Sequence, residues 1–179
     1  MTYPPKWLFC PQKAIGFYTS GYKAALSAAY GSDFTVLLGM ELRYYATAND
    51  FLVYGVSEDF LRKNGNLMSK YPKEFYSLAK RNNLIVLQAH PFRPAMIRIN
   101  PKYLDGAEVF NGKTGIEGNT RADNWVDENH MQLKVSGSDF HSPSQIARGG
   151  IINDTKILSN DDLLKVLRSG DYELIKNYD

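Results

Sequence analysis

Four apolar runs of strand length in this 179-residue chain are each followed at once by a side chain able to hold a metal ion or a phosphate. Glu41 follows FTVLLGM, His90 follows LIVLQA, Asn111 follows AEVF, and Asp139 with His141 follows LKVSGS. Carboxylate and imidazole are the ligands that hard and borderline divalent cations take. The stretch GSDFH is the most informative, because Asp and His two apart on a loop can aim both groups at one point. The chemistry suggested is metal-assisted handling of an anionic substrate.

Taken singly, each residue has a plainer reading. Glu41 suits a hydrophilic strand end, His90 before Pro91 a hydrogen-bonded turn, and Asn111 before Gly112 ordinary turn chemistry. The repetition of one position relative to four strands is what singles them out. His130 is read the other way: it ends a helix, where a cation favours the helix dipole, and its role is structural. Trp125 and the tyrosines read as core or rim.

The elements that must position these groups alternate. Apolar runs at 34–40, 51–56, 84–89, 107–110 and 133–136 read as strands. Helical spacing marks 20–30, with Tyr22, Leu26 and Tyr30 on one face and Gly31 as a stop. Pro72 opens a second helix whose apolar face is Phe75, Leu78 and Ala79. A third carries Ala122, Trp125, Val126 and Asn129, and a fourth starts at Ser159, with Asp162 three positions on, and stops near Gly170. Such alternation predicts a mainly parallel sheet, open or curled into a barrel, with ligands beyond the carboxyl ends of its strands.

Composition narrows the class. Hydrophobic residues at 44% and charged residues at 22% suit one globular domain spanning 1–179, and the net charge of +2 is spread along the chain, so nucleic acid is not implied as a partner. Cys10 stands alone, which excludes an internal disulfide and fits a cytoplasmic address. No apolar run approaches the roughly 20 residues needed to cross a bilayer, so no membrane partner is expected.

In order along the chain, the blocks GMELR, AHPFR, LDGAEVFNG and GSDFHS, with the tail RGGIINDTKILSNDDLLKVLRSGDYELI, resemble the successive motifs of polymerase-and-histidinol-phosphatase (PHP) domains. The likeness runs from about residue 21 to the end. It implies a distorted (β/α)7 barrel holding two or three zinc, manganese or iron ions, and hydrolysis of a phosphate ester on a small metabolite or nucleotide. On this resemblance Glu41, His90, Asp139 and His141 match metal ligands, Asn111 occupies a site position that is a ligand in some members, and Arg93 faces the substrate phosphate. Clustered cations would acidify a water and neutralise charge on the phosphoryl oxygens, and Arg93 could clamp two of those oxygens. Arg43 and Lys113 are lesser candidates that read as solvated charges more than as ligands.

The chain also departs from the PHP pattern, which opens with a His-x-His strand and ends a second strand in an Asp-His pair. With three histidines it supplies neither, and Gly16 and Phe17 stand where the pair is expected in KAIGFYTSGYKAAL. Residues 1–13 are atypical, so either the reading frame starts late or is disturbed there, or the first βα unit has been shed. The expectation is therefore an incomplete PHP-type barrel lacking that unit, whose exposed edge invites self-association. Two functional readings stand: a phosphoesterase with an incomplete metal site, and an inactive remnant or binding module holding at most one ion.

Overall fold

The computed structural model describes residues 11–45 and 47–178. Most of the expected elements form. Among the helices are α1 (Pro11–Tyr18), α2 (Ser20–Ala29), α3 (Glu58–Asn64), α4 (Pro72–Arg81), α5 (Ile116–Glu128) and α6 (Asn160–Ser169). The strands are β1 (Met40–Arg43), β2 (Asp50–Tyr54), β3 (Ile85–Gln88), β4 (Gly106–Asn111), β5 (Leu133–Gly137), β6 (Gly149–Ile152) and β7 (Glu173–Lys176). No helix among the described residues is long and apolar enough to cross a membrane.

Local chemistry accounts for the helix ends. Pro72 opens α4, where its missing N–H is no loss. Ser159 caps α6 by accepting from the Asp162 N–H, and Gly170 closes it in the left-handed conformation. Ser57 caps α3 in the same way through the Phe60 N–H.

The barrel expectation is overturned. Strands β1 to β5 form one open, mixed sheet in that order, and β6 and β7 form a separate antiparallel pair. Both the β1–β2 and β2–β3 pairings are antiparallel; β3–β4 and β4–β5 are parallel. Chain length explains the first reversal: only residues 44–49 join β1 to β2, whereas a parallel crossover needs about a dozen. Without a uniform parallel run, nothing brings β5 round to β1, and no (β/α)7 barrel closes.

Two further expectations fail locally. The run 34–40 is irregular instead of a strand, with Phe34 74% exposed; pairing begins only at Met40. The segment read as a second strand near Gly16 and Phe17 is helix α1. Cys10 and most of the atypical 1–13 segment lie outside the described residues.

The sheet is covered on both faces, so every residue of β3 is buried, Ile85, Val86 and Leu87 as well as Gln88. On one face Val53 and Val86 pack with Phe60, Phe75 and Ala79 from α3 and α4. On the other Ile85, Leu87 and Val135 pack with Leu164 and Leu167 from α6. A third group joins Val126 of α5 to Ala107 and Val109 of β4. Helix α2, by contrast, buries none of its residues.

Candidate metal centre

Because β2 runs against both neighbours, its first residue lies where β1 and β3 finish. Arg43 sits opposite Asp50 across β1–β2, and Phe51 opposite Gln88 across β2–β3. The Ala89 N–H donates to the Asp50 carbonyl at 3.0 Å, which sets the next residue, His90, beside Asp50. Glu41 reaches the same point from β1.

His90 Nε2 lies 3.6 Å from Glu41 Oε1 and 3.6 Å from Asp50 Oδ2. These separations are too long for hydrogen bonds, and close to the roughly 3.4 Å between two ligands that each stand about 2.1 Å from a tetrahedrally bound ion. One ligand atom from each of Glu41, Asp50 and His90 lies within 4.8 Å of the others. The trio is able to bind a metal ion, and among the described residues no other group of three His, Cys, Asp or Glu does so. A ligating His usually donates its second ring nitrogen to a partner. His90 Nδ1 instead is buried without one among the described residues, so packing and backbone hold the ring.

The His90 backbone is held firmly. Its N–H donates to Glu108 Oε2 at 2.8 Å, and its carbonyl closes a turn over Pro91 by accepting the Arg93 N–H at 3.0 Å. Buried Gln88 anchors the loop beyond, donating to the Ile97 carbonyl at 2.8 Å and accepting the Ile99 N–H at 2.9 Å. His90 (φ 30°) and Asp139 (φ 50°) both occupy the left-handed region, a costly conformation that persists where surroundings enforce it.

A bulge in β4 completes the arrangement. Residues three apart on a regular strand face opposite sides, but the register of β4 on β5 slips between Glu108 and Phe110. Glu108 and Asn111 therefore meet, with Asn111 Nδ2 donating to Glu108 Oε2 at 3.1 Å and to Asp139 Oδ2 at 3.3 Å. Asn111 Oδ1 accepts from Arg93 Nη2 at 3.2 Å, the Lys113 N–H at 3.0 Å and Thr114 Oγ1 at 3.2 Å. Its amide is thus committed to positioning Arg93 and Asp139.

Arg93 and Asp139 form an ion pair. Burial pulls the Asp139 carboxyl up, but the Arg93 hydrogen bond and charge, helped by Asn111 and Lys113, outweigh it and leave the group below its ordinary range. His141 Nδ1 stands 3.1 Å from Asp139 Oδ1 and 3.4 Å from Lys113 Nζ, with its side chain mostly exposed. Glu41, Arg43, Asp50, Arg93, Lys113, Asp139 and His141 line one cavity of about 310 Å³, and buried His90, Glu108 and Asn111 are not part of that lining.

All six residues expected from the sequence therefore lie in one neighbourhood. Glu41 and His90 join Asp50 in the trio; Asp139, His141, Arg93 and Asn111 form the neighbouring network. His130 merely closes the turn after α5, its N–H donating to the Asp127 carbonyl at 3.0 Å. Sequence reasoning missed two participants, Asp50 and Glu108, and ranked Arg43 and Lys113 too low. Asp50 opens its strand, just before the apolar run 51–56, so a search confined to residues after apolar runs passes over it. Arg43 alternates with buried Leu42 on β1 and reads as a surface charge. Glu108 left a signal, a carboxylate inside the apolar run AEVF, and charged residues seldom sit there without a partner.

Arg43 grips Asp50 with two of its three nitrogens, at 2.6 Å from Nε and 2.5 Å from Nη2, so it occupies the oxygen that a cation would take. The pair is half exposed on the Arg43 side and worth at most about 1 kcal/mol. Arg43→Met is expected to tighten Mn²⁺ binding about fivefold by titration calorimetry, as that pair converts into affinity. Unchanged or weaker binding would show that the guanidinium does not compete.

Glu108 is almost wholly buried. Burial pushes its carboxyl up to about 7, against the opposing pull of the His90 N–H and charge and of Asn111. Its folded pKa thus exceeds the unfolded 4.5, so its stabilising effect is complete below about pH 4.5 and is lost as pH rises through 7. Urea melts of metal-free protein are expected to show up to roughly 3 kcal/mol of that loss, absent from Glu108→Gln. Parallel pH profiles for the two proteins would refute it.

No family model matches the chain, and no curated protein does. Among solved structures it is similar to PsfC from Pseudomonas syringae PB-5123, with a TM-score of 0.64 and 13% identity. The match covers 79% of this chain and 59% of that one, so the chain spans about three fifths of its neighbour's length. At that identity the likeness speaks for the fold alone.

Proposed function

We propose that this chain is a divalent-metal phosphoesterase, with Glu41, Asp50 and His90 as ligands and Arg93 as the phosphate clamp. The observation that carries the reading is a single polar cavity whose lining joins Glu41 and Asp50, the latter paired with Arg43, to Arg93, Lys113 and His141 gathered around Asp139. Two carboxylates and an imidazole suit zinc, manganese or iron. A divalent ion there would polarise a phosphoryl oxygen and acidify a water. The chain's own part is orientation and charge: Asn111 and Asp139 aim the Arg93 guanidinium, and Lys113 adds a second cation against the phosphoryl oxygens. The resemblance to PHP domains supports the same chemistry through its site residues; the barrel that went with it does not. A small phosphorylated substrate and a cytoplasmic address belong to this reading.

Mn²⁺- or Zn²⁺-stimulated release of p-nitrophenol from p-nitrophenyl phosphate, abolished by chelator, is the expected result. Absent or chelator-insensitive turnover at high protein concentration would sink it. A second reading, a module that binds one ion without catalysis, is favoured by the single trio and by the engagement of Asp50 and Asp139 with arginines. Turnover separates the two: chelator-sensitive release of p-nitrophenol excludes the inert module, whereas one bound ion per chain with no turnover supports it, and two or more ions per chain would exclude the one-ion module.

A further inference from the structure

The polar cavity has a neighbour along β1. A second groove of about 450 Å³ follows this strand, lined by apolar side chains that include Ile15, Phe17, Leu42, Leu67 and Met68. Glu41 and Arg43 line both spaces, so the two share a rim. The alternation of β1 produces that sharing: Met40 and Leu42 are buried while Glu41 and Arg43 are exposed, and among the described residues β1 has no neighbour on its outer side within its sheet. Large apolar groups stay exposed there, among them Phe17 at 67% and Tyr45 at 63%. Contiguous exposed apolar surface beside a polar site is what an amphiphilic ligand needs.

The geometry points to a substrate subsite: the groove beside β1 takes the apolar alcohol portion of a phosphate ester whose phosphate lies in the polar cavity. This rests on the phosphoesterase reading above and narrows its substrate class to monoesters of alkyl or aryl alcohols. Polar sugars would leave hydroxyls against Ile15, Leu42 and Leu67, with Tyr18, Tyr45 and Asn66 the polar groups of the groove apart from the rim residues Glu41 and Arg43. Each methylene seated there adds affinity through removal from water, while a one-carbon phosphonate reaches the charged head site alone.

The test is calorimetric titration of the full chain, loaded with Mn²⁺, with methylphosphonate and with hexylphosphonate. Hexylphosphonate is expected to bind at least tenfold more tightly. In the exposed double variant Phe17→Ser, Met68→Ser, the ratio is expected to fall below threefold while methylphosphonate affinity is unchanged. Equal binding of the two phosphonates by the parent chain would overturn the subsite and leave the phosphate site standing. A preference that survives both substitutions would place the tail elsewhere and overturn it as well. If neither phosphonate binds, the phosphate-site reading fails and the subsite with it.

Discussion

Alanine in place of His90 is expected to lower Mn²⁺ or Zn²⁺ affinity on the order of 100-fold, since even the partners behind a ligand contribute 10- to 100-fold. His90 is the only buried imidazole in the cavity neighbourhood, and its Nε2 is the atom equidistant from both carboxylates of the trio. Without it the site retains Glu41, half exposed, and Asp50, gripped by Arg43. His141→Ala serves as the contrast. That ring is mostly exposed, lies against Asp139 and Lys113, and stands outside the trio, so its loss is expected to change metal affinity by less than about threefold. Calorimetry and metal analysis of the two variants decide the matter. If His141→Ala abolishes binding and His90→Ala spares it, the ion sits between Asp139 and His141, and the trio is not its seat.

The second large effect is expected at Gly106. Strands β4 and β5 approach so closely there that a Cβ on Gly106 would fall on the Leu133 carbonyl oxygen and crowd the Leu133 carbonyl carbon and Cα. All three obstructing atoms are backbone, so no side-chain rotation relieves the clash, and the sheet itself must move. Overpacking of this kind costs about 3 kcal/mol or more, and for a chain of this size Gly106→Ala is expected to lower Tm by about 10 °C. Gly39→Ala is the control, because nothing lies within 4 Å of its added Cβ; its Tm is expected to hold steady or rise slightly. A Gly106→Ala protein that melts within 2 °C of the parent would contradict the described spacing of β4 and β5.

How far the sequence disclosed this arrangement depended on which local rule was in force. Helices α4 and α6 were legible because Pro72, Ser159, Asp162 and Gly170 act through contacts a few residues away. Strands β3 to β5 were legible because burial leaves mostly apolar runs, broken by Gln88, Glu108 and Lys134. His90, Asn111 and Asp139 followed from them, since β3, β4 and β5 run parallel and their carboxyl ends share a side. The rule failed where direction changed. Nothing in FLVYGV announces that its strand runs backward, so Asp50, at its start, escaped notice while less central residues were found. The barrel expectation failed for the same reason, since strand direction depends on how residues 44–49 turn, not on the apolar runs beside them. Glu108 and Asn111 meet through a bulge, and a one-residue slip of register leaves no periodic trace.

That reversed strand also links ion occupancy to the mechanics of the fold. Glu41 and Asp50 ride on the β1–β2 hairpin, while His90 belongs to the segment leaving β3. An ion shared by the three would rivet this outer hairpin to the sheet interior, raising the work needed to peel it away. Amide protons of Leu42 and Phe51 should then exchange more slowly in loaded protein, while those of the remote β6–β7 ribbon keep their pace.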